Sequence, residues 1–151
     1  MSYGEQGIVD SFLPKKKRDT LALMEEAVLV EMPLVKRLRK GFHLREFRSL
    51  QKLLLVSEEE LGRYIGISAA TLHRRKKSSH LETPESERIV RLARLFGKSM
   101  EVFESEEAAR EWLKTANPGT AGEPPICYAD TEFGAREVEY LLGRIDYGVF
   151  N

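Results

Sequence analysis

The chain of 151 residues carries a single cysteine, Cys127, so no disulfide can form within it. Its three histidines, His43, His73 and His80, fall on separate predicted elements, and with one thiol they make no zinc spacing. No apolar run reaches the roughly 18 residues of a membrane span, and no signal-peptide core is present. These absences point to a reducing, cytoplasmic compartment and away from a membrane. There is also no glycine-rich phosphate loop after a strand and no serine or cysteine nucleophile motif. An enzyme therefore has little to stand on, no catalytic residue is assigned, and no cofactor or metal is called for. Strand alternation is missing as well, and the chain reads as all-α.

What is present is an uneven charge. The net charge is zero, yet residues 1–100 hold twenty Lys/Arg against thirteen Asp/Glu, a net of +7, and residues 101–151 hold four against eleven, a net of −7. A basic front and an acidic rear suit two surfaces for two kinds of partner. The run Pro14-Lys15-Lys16-Lys17-Arg18 reads as a solvated arm able to meet phosphates. Residues 20–40 are partly helical and broken at Pro33, and Gly41 marks a junction.

From His43 onward the 3.6-residue period is clear. Leu44, Phe47, Leu50 and Leu54 share one apolar face. Ser57 and Glu60 have the spacing of a capping box, and Gly66 supplies a left-handed stop. Ser68 caps the helix that follows. Thr83-Pro84 opens a long helix whose apolar face is Ile89, Leu92, Ala93, Phe96, Met100 and Phe103. Ser105 caps a further helix with Ala108, Ala109, Trp112 and Leu113. Trp112 and Phe96 are expected buried between the long helix and the helices after it. Asn117 to Pro125 reads as a loop, and a last helix covers roughly 131–146, with Val138, Leu141, Leu142 and Ile145 on one face.

Residues 58–77 meet the requirements of a helix-turn-helix. Leu61 and Ile65 face the core, Gly62 sits at the helix crossing, Gly66 turns the chain, Ile67 plugs the corner and Leu72 anchors the second helix. Arg63, Arg74, Arg75, Lys76 and Lys77 supply positive charge, and no acidic residue occurs between Gly62 and Leu81. The start of the second helix, Ser68, Ala69 and Thr71, is placed to reach base edges. Arg74 or Arg75 suits guanine, while Lys76, Lys77 and His73 suit phosphates. Arg75 stands where an apolar residue is usual, so Leu81 must supply the missing packing or the register lies one residue away.

Further residues carry a family resemblance. Thr71-Leu72-His73-Arg74-Arg75, Glu85-Ser86-Glu87-Arg88, Trp112-Leu113, Asn117-Pro118, Ala121-Gly122, Thr131-Glu132-Phe133-Gly134-Ala135, Val138 and Leu142-Gly143-Arg144-Ile145-Asp146-Tyr147-Gly148 run in order along the chain. Over residues 40–151 the chain resembles the Xre/MbcA/ParS-type antitoxins, especially the Xre antitoxin paired with RES-domain toxins. The resemblance implies a Cro/repressor-like helix-turn-helix followed by a small helical toxin-binding domain. It divides the chain into a segment 1–40, a DNA-binding domain 41–82 and a toxin-binding and dimerisation domain 83–151.

It also implies a homodimer that binds operator DNA, represses its own operon and joins a cognate RES-type, NAD-consuming toxin in a larger hetero-oligomer. Toxin contact is carried over to Arg144, Tyr147, Gly148, Val149, Phe150 and Asn151, whose aromatics and terminal carboxylate suit a plug for a nucleotide cleft. The competing expectation is a free-standing transcription regulator with a C-terminal dimerisation or ligand-sensing domain.

Overall fold

Helix starts along this chain are set by short polar side chains, and the caps appear where those side chains stand. The computed structural model describes residues 7–14 and 33–148. After a four-residue α1 (Ile8–Ser11), residues 33–40 are helical (α2), followed by α3 (Leu44–Leu54), α4 (Glu58–Tyr64), α5 (Ala69–Ser78) and the long α6 (Thr83–Phe103). Then come α7 (Glu106–Lys114), a 3-10 turn (Pro118–Thr120), α8 (Pro125–Tyr128) and α9 (Glu132–Asp146). Ser57 and Glu60 close the expected capping box, the hydroxyl accepting from the Glu60 amide at 3.1 Å and the carboxylate accepting from Ser57 N–H at 3.4 Å. Ser68, Ser105 and Thr131 cap α5, α7 and α9 in the same way. The architecture is all-α, with no strand among the described residues.

The spine is α6, which is apolar on two sides. Ile89, Leu92, Ala93 and Phe96 enter a core with Phe47, Leu50, Leu54, Leu61 and Ile65. Leu95 turns to a second cluster with Ala129, Ala135, Val138 and Leu142. One helix thus carries the helix-turn-helix at its N-terminal end and α7 to α9 at its C-terminal end. Cations on the later helices answer the carbonyls that earlier helices leave unpaired at their ends. Arg88 donates to Ile65 O at 2.9 Å, Arg110 to Leu53 O at 3.1 Å and Lys114 to Leu54 O at 3.1 Å.

Several expectations change. Residues 7–14, which carry little periodicity in the sequence, are packed: Ile8 and Val9 are buried, and their amides donate to the buried Glu46 carboxylate at 3.0 and 3.2 Å. Gly97 lets this segment lie on α6, since a Cβ there would stand 2.1 Å from Phe12 O. The basic run at 15–18 lies outside the described residues, as do Val149, Phe150 and Asn151. Of the stretch 20–40 expected to be partly helical and broken at Pro33, residues 33–40 are helical and the part before Pro33 lies outside the described residues. The loop ends earlier than expected, since Pro125 opens α8, where its missing N–H costs nothing. Phe96 is buried as expected, but Trp112 is only half-buried. It touches both clusters, with its ring 5.5 Å from Phe103.

Candidate functional sites

The first candidate site is built on α4 and α5. Gly62 is buried at their crossing, where a Cβ would press on Ile67 O at 3.3 Å. Gly66 makes the turn at φ +70°, a conformation that a side chain disfavours. Leu72 and Leu81 are both buried in the first core cluster, as packing by Leu81 beside the recognition helix would require. Leu81 N donates to Phe42 O at 2.8 Å, Leu44 N to Ser79 O at 2.9 Å, and Phe42 N to the Ser86 hydroxyl at 2.8 Å. These bonds clamp the unit to the start of α6. They also bring together two histidines expected apart: the rings of His43 and His80 meet edge-on, centroids 5.4 Å apart.

The basic residues of this unit divide by what they touch. Arg63, His73, Arg74 and Lys77 are exposed and form no ion pair among the described residues. Arg74 Nη2 donates to Thr71 Oγ1 at 3.1 Å, which holds it along the face of α5. Ser68 and Ala69 are exposed at the helix start, and Thr71 is half-buried. Arg75 lies elsewhere. Its Nε and Nη2 donate to the two Glu85 oxygens at 2.8 and 3.1 Å, and Glu82 stands 3.3 Å away. With its side chain 15% exposed and that of Glu85 7%, this is a two-pronged, nearly buried ion pair between α5 and α6. Arg75 was expected to be able to read guanine; without DNA, its Nε and Nη2 donors serve Glu85 and tie α5 to α6. Lys76 Nζ donates to Glu58 at 2.9 Å, and Glu58 also takes Arg48.

Glu85 feels opposing influences. Burial favours its protonated form, but Arg75, the Glu82 amide and the Arg88 charge hold its carboxyl below the usual range. Glu58 is likewise held low, first by Lys76 and then by Arg48. From the sequence, Glu85 figured only within a family motif and neither glutamate was assigned a partner. Both oppose a cation ten or more residues away, a pairing that no local spacing announces.

The second candidate site is the outer side of α9. Its inner side is pinned to α6: Arg94 donates to Glu139 and Glu132, both at 2.6 Å, and Arg91 to Glu132 at 3.2 Å and Asp130 O at 3.0 Å. Phe133, Tyr140 and Tyr147, 75, 70 and 84% exposed, follow one another at seven-residue intervals along the outer side. Of the expected toxin-facing residues, Arg144, Tyr147 and Gly148 are exposed, at and just beyond the end of α9. Beside them, between α6 and α9, lies a groove of about 660 Å³ lined by Lys98, Arg136, Glu139, Tyr140, Gly143, Arg144 and Tyr147. Sequence reasoning missed Lys98, Arg136 and Tyr140, although seven-residue spacing of exposed aromatics was a usable signal.

Among the described residues no group of three His, Cys, Asp or Glu side chains stands close enough to hold a metal. Loss of hydration and the carboxylates of Glu123 and Asp130 push the Cys127 thiol up. No described helix is long and apolar enough to cross a membrane.

Comparison with known proteins follows the same division. Residues 33–94 match the family model for the antitoxin Xre-like helix-turn-helix domain. Residues 98–148 match that for the antitoxin Xre/MbcA/ParS C-terminal toxin-binding domain. An Antitoxin Xre from Yersinia enterocolitica serotype O:8 is 32% identical over 120 residues, which cover 78% of this chain and 81% of the relative. An Antitoxin Xre from Photorhabdus laumondii subsp. laumondii is 27% identical over 114 residues, 74% of this chain and 77% of the relative. A Prs ADP-ribosylating antitoxin from a Sphingobium species is 25% identical over 123 residues, 75% and 77% of the two chains.

Proposed function

The chain belongs to the Xre/MbcA/ParS antitoxins of toxin–antitoxin systems, and from that premise we propose that it neutralises a RES-type, NAD-consuming toxin and represses its own operon as a homodimer. The observation that carries the toxin reading is the end of α9. Tyr147 is 84% exposed beside exposed Arg144, at the edge of a domain that matches toxin-binding domains. A large aromatic left in water at a helix end is a ready anchor for a partner. One relative is named for ADP-ribosylation of Prs, a chemistry that draws on NAD and is compatible with a partner of this class. In this reading Arg144 and residues 147–151 roof the toxin's NAD cleft and exclude substrate.

The promoter reading rests on α5. Its exposed face offers Arg74, Lys77 and His73 with Ser68 and Ala69 at the helix start, the arrangement that suits a major groove. A homodimer would place two such helices about one turn of DNA apart, on a palindromic operator.

The test is NAD consumption by the toxin encoded beside this gene, mixed with full-length antitoxin or with a chain lacking residues 147–151. The truncated chain is expected to fold and bind the promoter as before, because the buried positions of α9 end at Leu142. It is expected to lose inhibition. Equal inhibition by the two forms would overturn the plug.

A further inference from the structure

Glycine in the middle of a helix costs about 1 kcal/mol relative to alanine, so an interior helical glycine calls for a reason. Elsewhere among the described glycines the reason lies within the chain. Gly41, Gly66, Gly122 and Gly148 have positive φ, and at Gly7, Gly62, Gly97, Gly119 and Gly134 a Cβ would press on the chain's own atoms. Gly143 is the exception. It sits inside α9 without positive φ, and a Cβ there meets nothing within 4 Å. The space it leaves open is the groove between α6 and α9. Neither the backbone nor the packing of this chain asks for glycine at 143.

We infer that Gly143 floors a docking seat for an acidic segment of the toxin, a seat walled by Tyr140 and Tyr147 and rimmed by Lys98, Arg136 and Arg144. This rests on the toxin-binding reading above and names a further part of that surface. The charge of the groove selects the occupant. Its one carboxylate, Glu139, is already held by Arg94 at 2.6 Å, whereas the three rim cations form no ion pair among the described residues. A second copy of this chain docked through the same face would set those cations against their own counterparts, which is unfavourable. DNA has its own exposed basic face on α5. A carboxylate-bearing protein segment answers the cations, and close approach of its backbone needs the missing Cβ.

The test uses the full-length antitoxin and the toxin encoded beside its gene, with affinity read by calorimetry. Gly143→Leu fills the groove without touching this chain's own core. It is expected to keep the helical signal, a melting temperature no lower than the parent's and unchanged promoter binding. Toxin affinity is expected to fall at least about thirty-fold, the loss of one anchor. Lys98→Glu with Arg136→Glu is expected to weaken toxin binding and flatten its salt dependence, again at constant stability. Wild-type toxin affinity in Gly143→Leu overturns the seat, and so does an equal loss of promoter binding, which would assign the groove to DNA. Failure of the parent chain to bind the toxin removes both readings. Loss of inhibition on deleting 147–151, with an indifferent Gly143→Leu, removes this one alone.

Discussion

The recognition helix α5, tied to α6 through Arg75 and Glu85, and the last helix α9, packed along α6, offer solvent opposite kinds of surface. The exposed side of α5 is His73, Arg74 and Lys77 with no large apolar group. The exposed side of α9 is Phe133, Tyr140 and Tyr147, with Arg136 and Arg144 between them. A hydrated polyanion is met by cations that stay in water, and affinity then follows salt. A protein partner is met by aromatic area that leaves water on binding, with charge at the rim. The two helices differ in what they are shaped to lose, counterions in one case and surface water in the other. The shared spine joins the two clusters on which they rest.

The largest effect should come from breaking that spine. Phe96 is fully buried in the first cluster, and its neighbour Leu95 serves the second. Phe96→Ala should cost about 3–5 kcal/mol, a large share of the stability of a domain this size. Denaturant melts followed by helicity and by Trp112 fluorescence should move together, and promoter and toxin binding should disappear at the same denaturant concentration. Two separated transitions would show that the two surfaces stand on independent units. Trp112→Ala, at a half-buried site, should cost about 2 kcal/mol.

Next in size is the tie between recognition helix and spine. Arg75→Met or Glu85→Gln leaves one nearly buried polar group without its partner and should cost about 2–4 kcal/mol. Arg75→Met with Glu85→Leu should recover much of that, because apolar packing replaces a buried ion pair well. If the double variant keeps the operator preference of the parent, Arg75 positions α5 and reads no base. The pair also sets an acid limit. The folded state holds the Glu85 carboxyl low, so its contribution is complete above about pH 5 and is lost as pH falls through the lowered value. Glu85→Gln should flatten this part of the stability profile, measured by denaturant melts between about pH 3 and 7.

These pairs mark where sequence reasoning stopped. Caps at Ser57, Ser68 and Ser105 were legible because a cap bonds three residues ahead and needs no fold. The helix-turn-helix was legible for a similar reason: its glycines and corner residues act within about twenty positions. The pairing of Arg75 with Glu85 went unforeseen because that partner enters from the next helix. The docking of Ile8 and Val9 on Glu46 spans 38 and 37 residues and left no local trace. On α9 the buried positions begin one turn earlier than expected, at Gly134 and Ala135, because Gly134 lies hard against Tyr128 O. Small residues carry little hydrophobic signal, so a face built on them is easily overlooked.

A smaller effect should separate the cations within α5. Lys77→Ala should weaken binding to all DNA sequences and lower the salt slope by about one unit, since its charge is free to meet a phosphate. Arg74→Ala should lose about 1–3 kcal/mol of discrimination at one base pair, if its fork reaches guanine. Fluorescence anisotropy on the operator and on a scrambled duplex, over a salt series, distinguishes the two. Equal behaviour of the variants on both duplexes would remove the division between phosphate and base contacts.

The smallest effect concerns Glu58, a carboxylate that enters the basic face of α5. It takes Lys76 at 2.9 Å and also Arg48, and it occupies the first position of α4. Glu58→Gln gives up two partly exposed ion pairs and a favourable charge at a helix N-terminus, a cost of about 0.5–1 kcal/mol in stability. Against that, it frees Lys76 for phosphate and removes a negative charge facing the duplex. Promoter binding should therefore tighten while the fold weakens, an inversion that a merely structural role cannot produce. The gain should be several-fold at about 50 mM salt and fade towards 200 mM, because it is carried by exposed charges. Acid should mimic the substitution. Lys76 and Arg48 hold the Glu58 carboxyl low, so its stabilising part is lost, and Lys76 released, as pH falls through that lowered value. Parent and Glu58→Gln affinities should then converge at low pH, and a constant gap between them would rule out release of Lys76 as the cause.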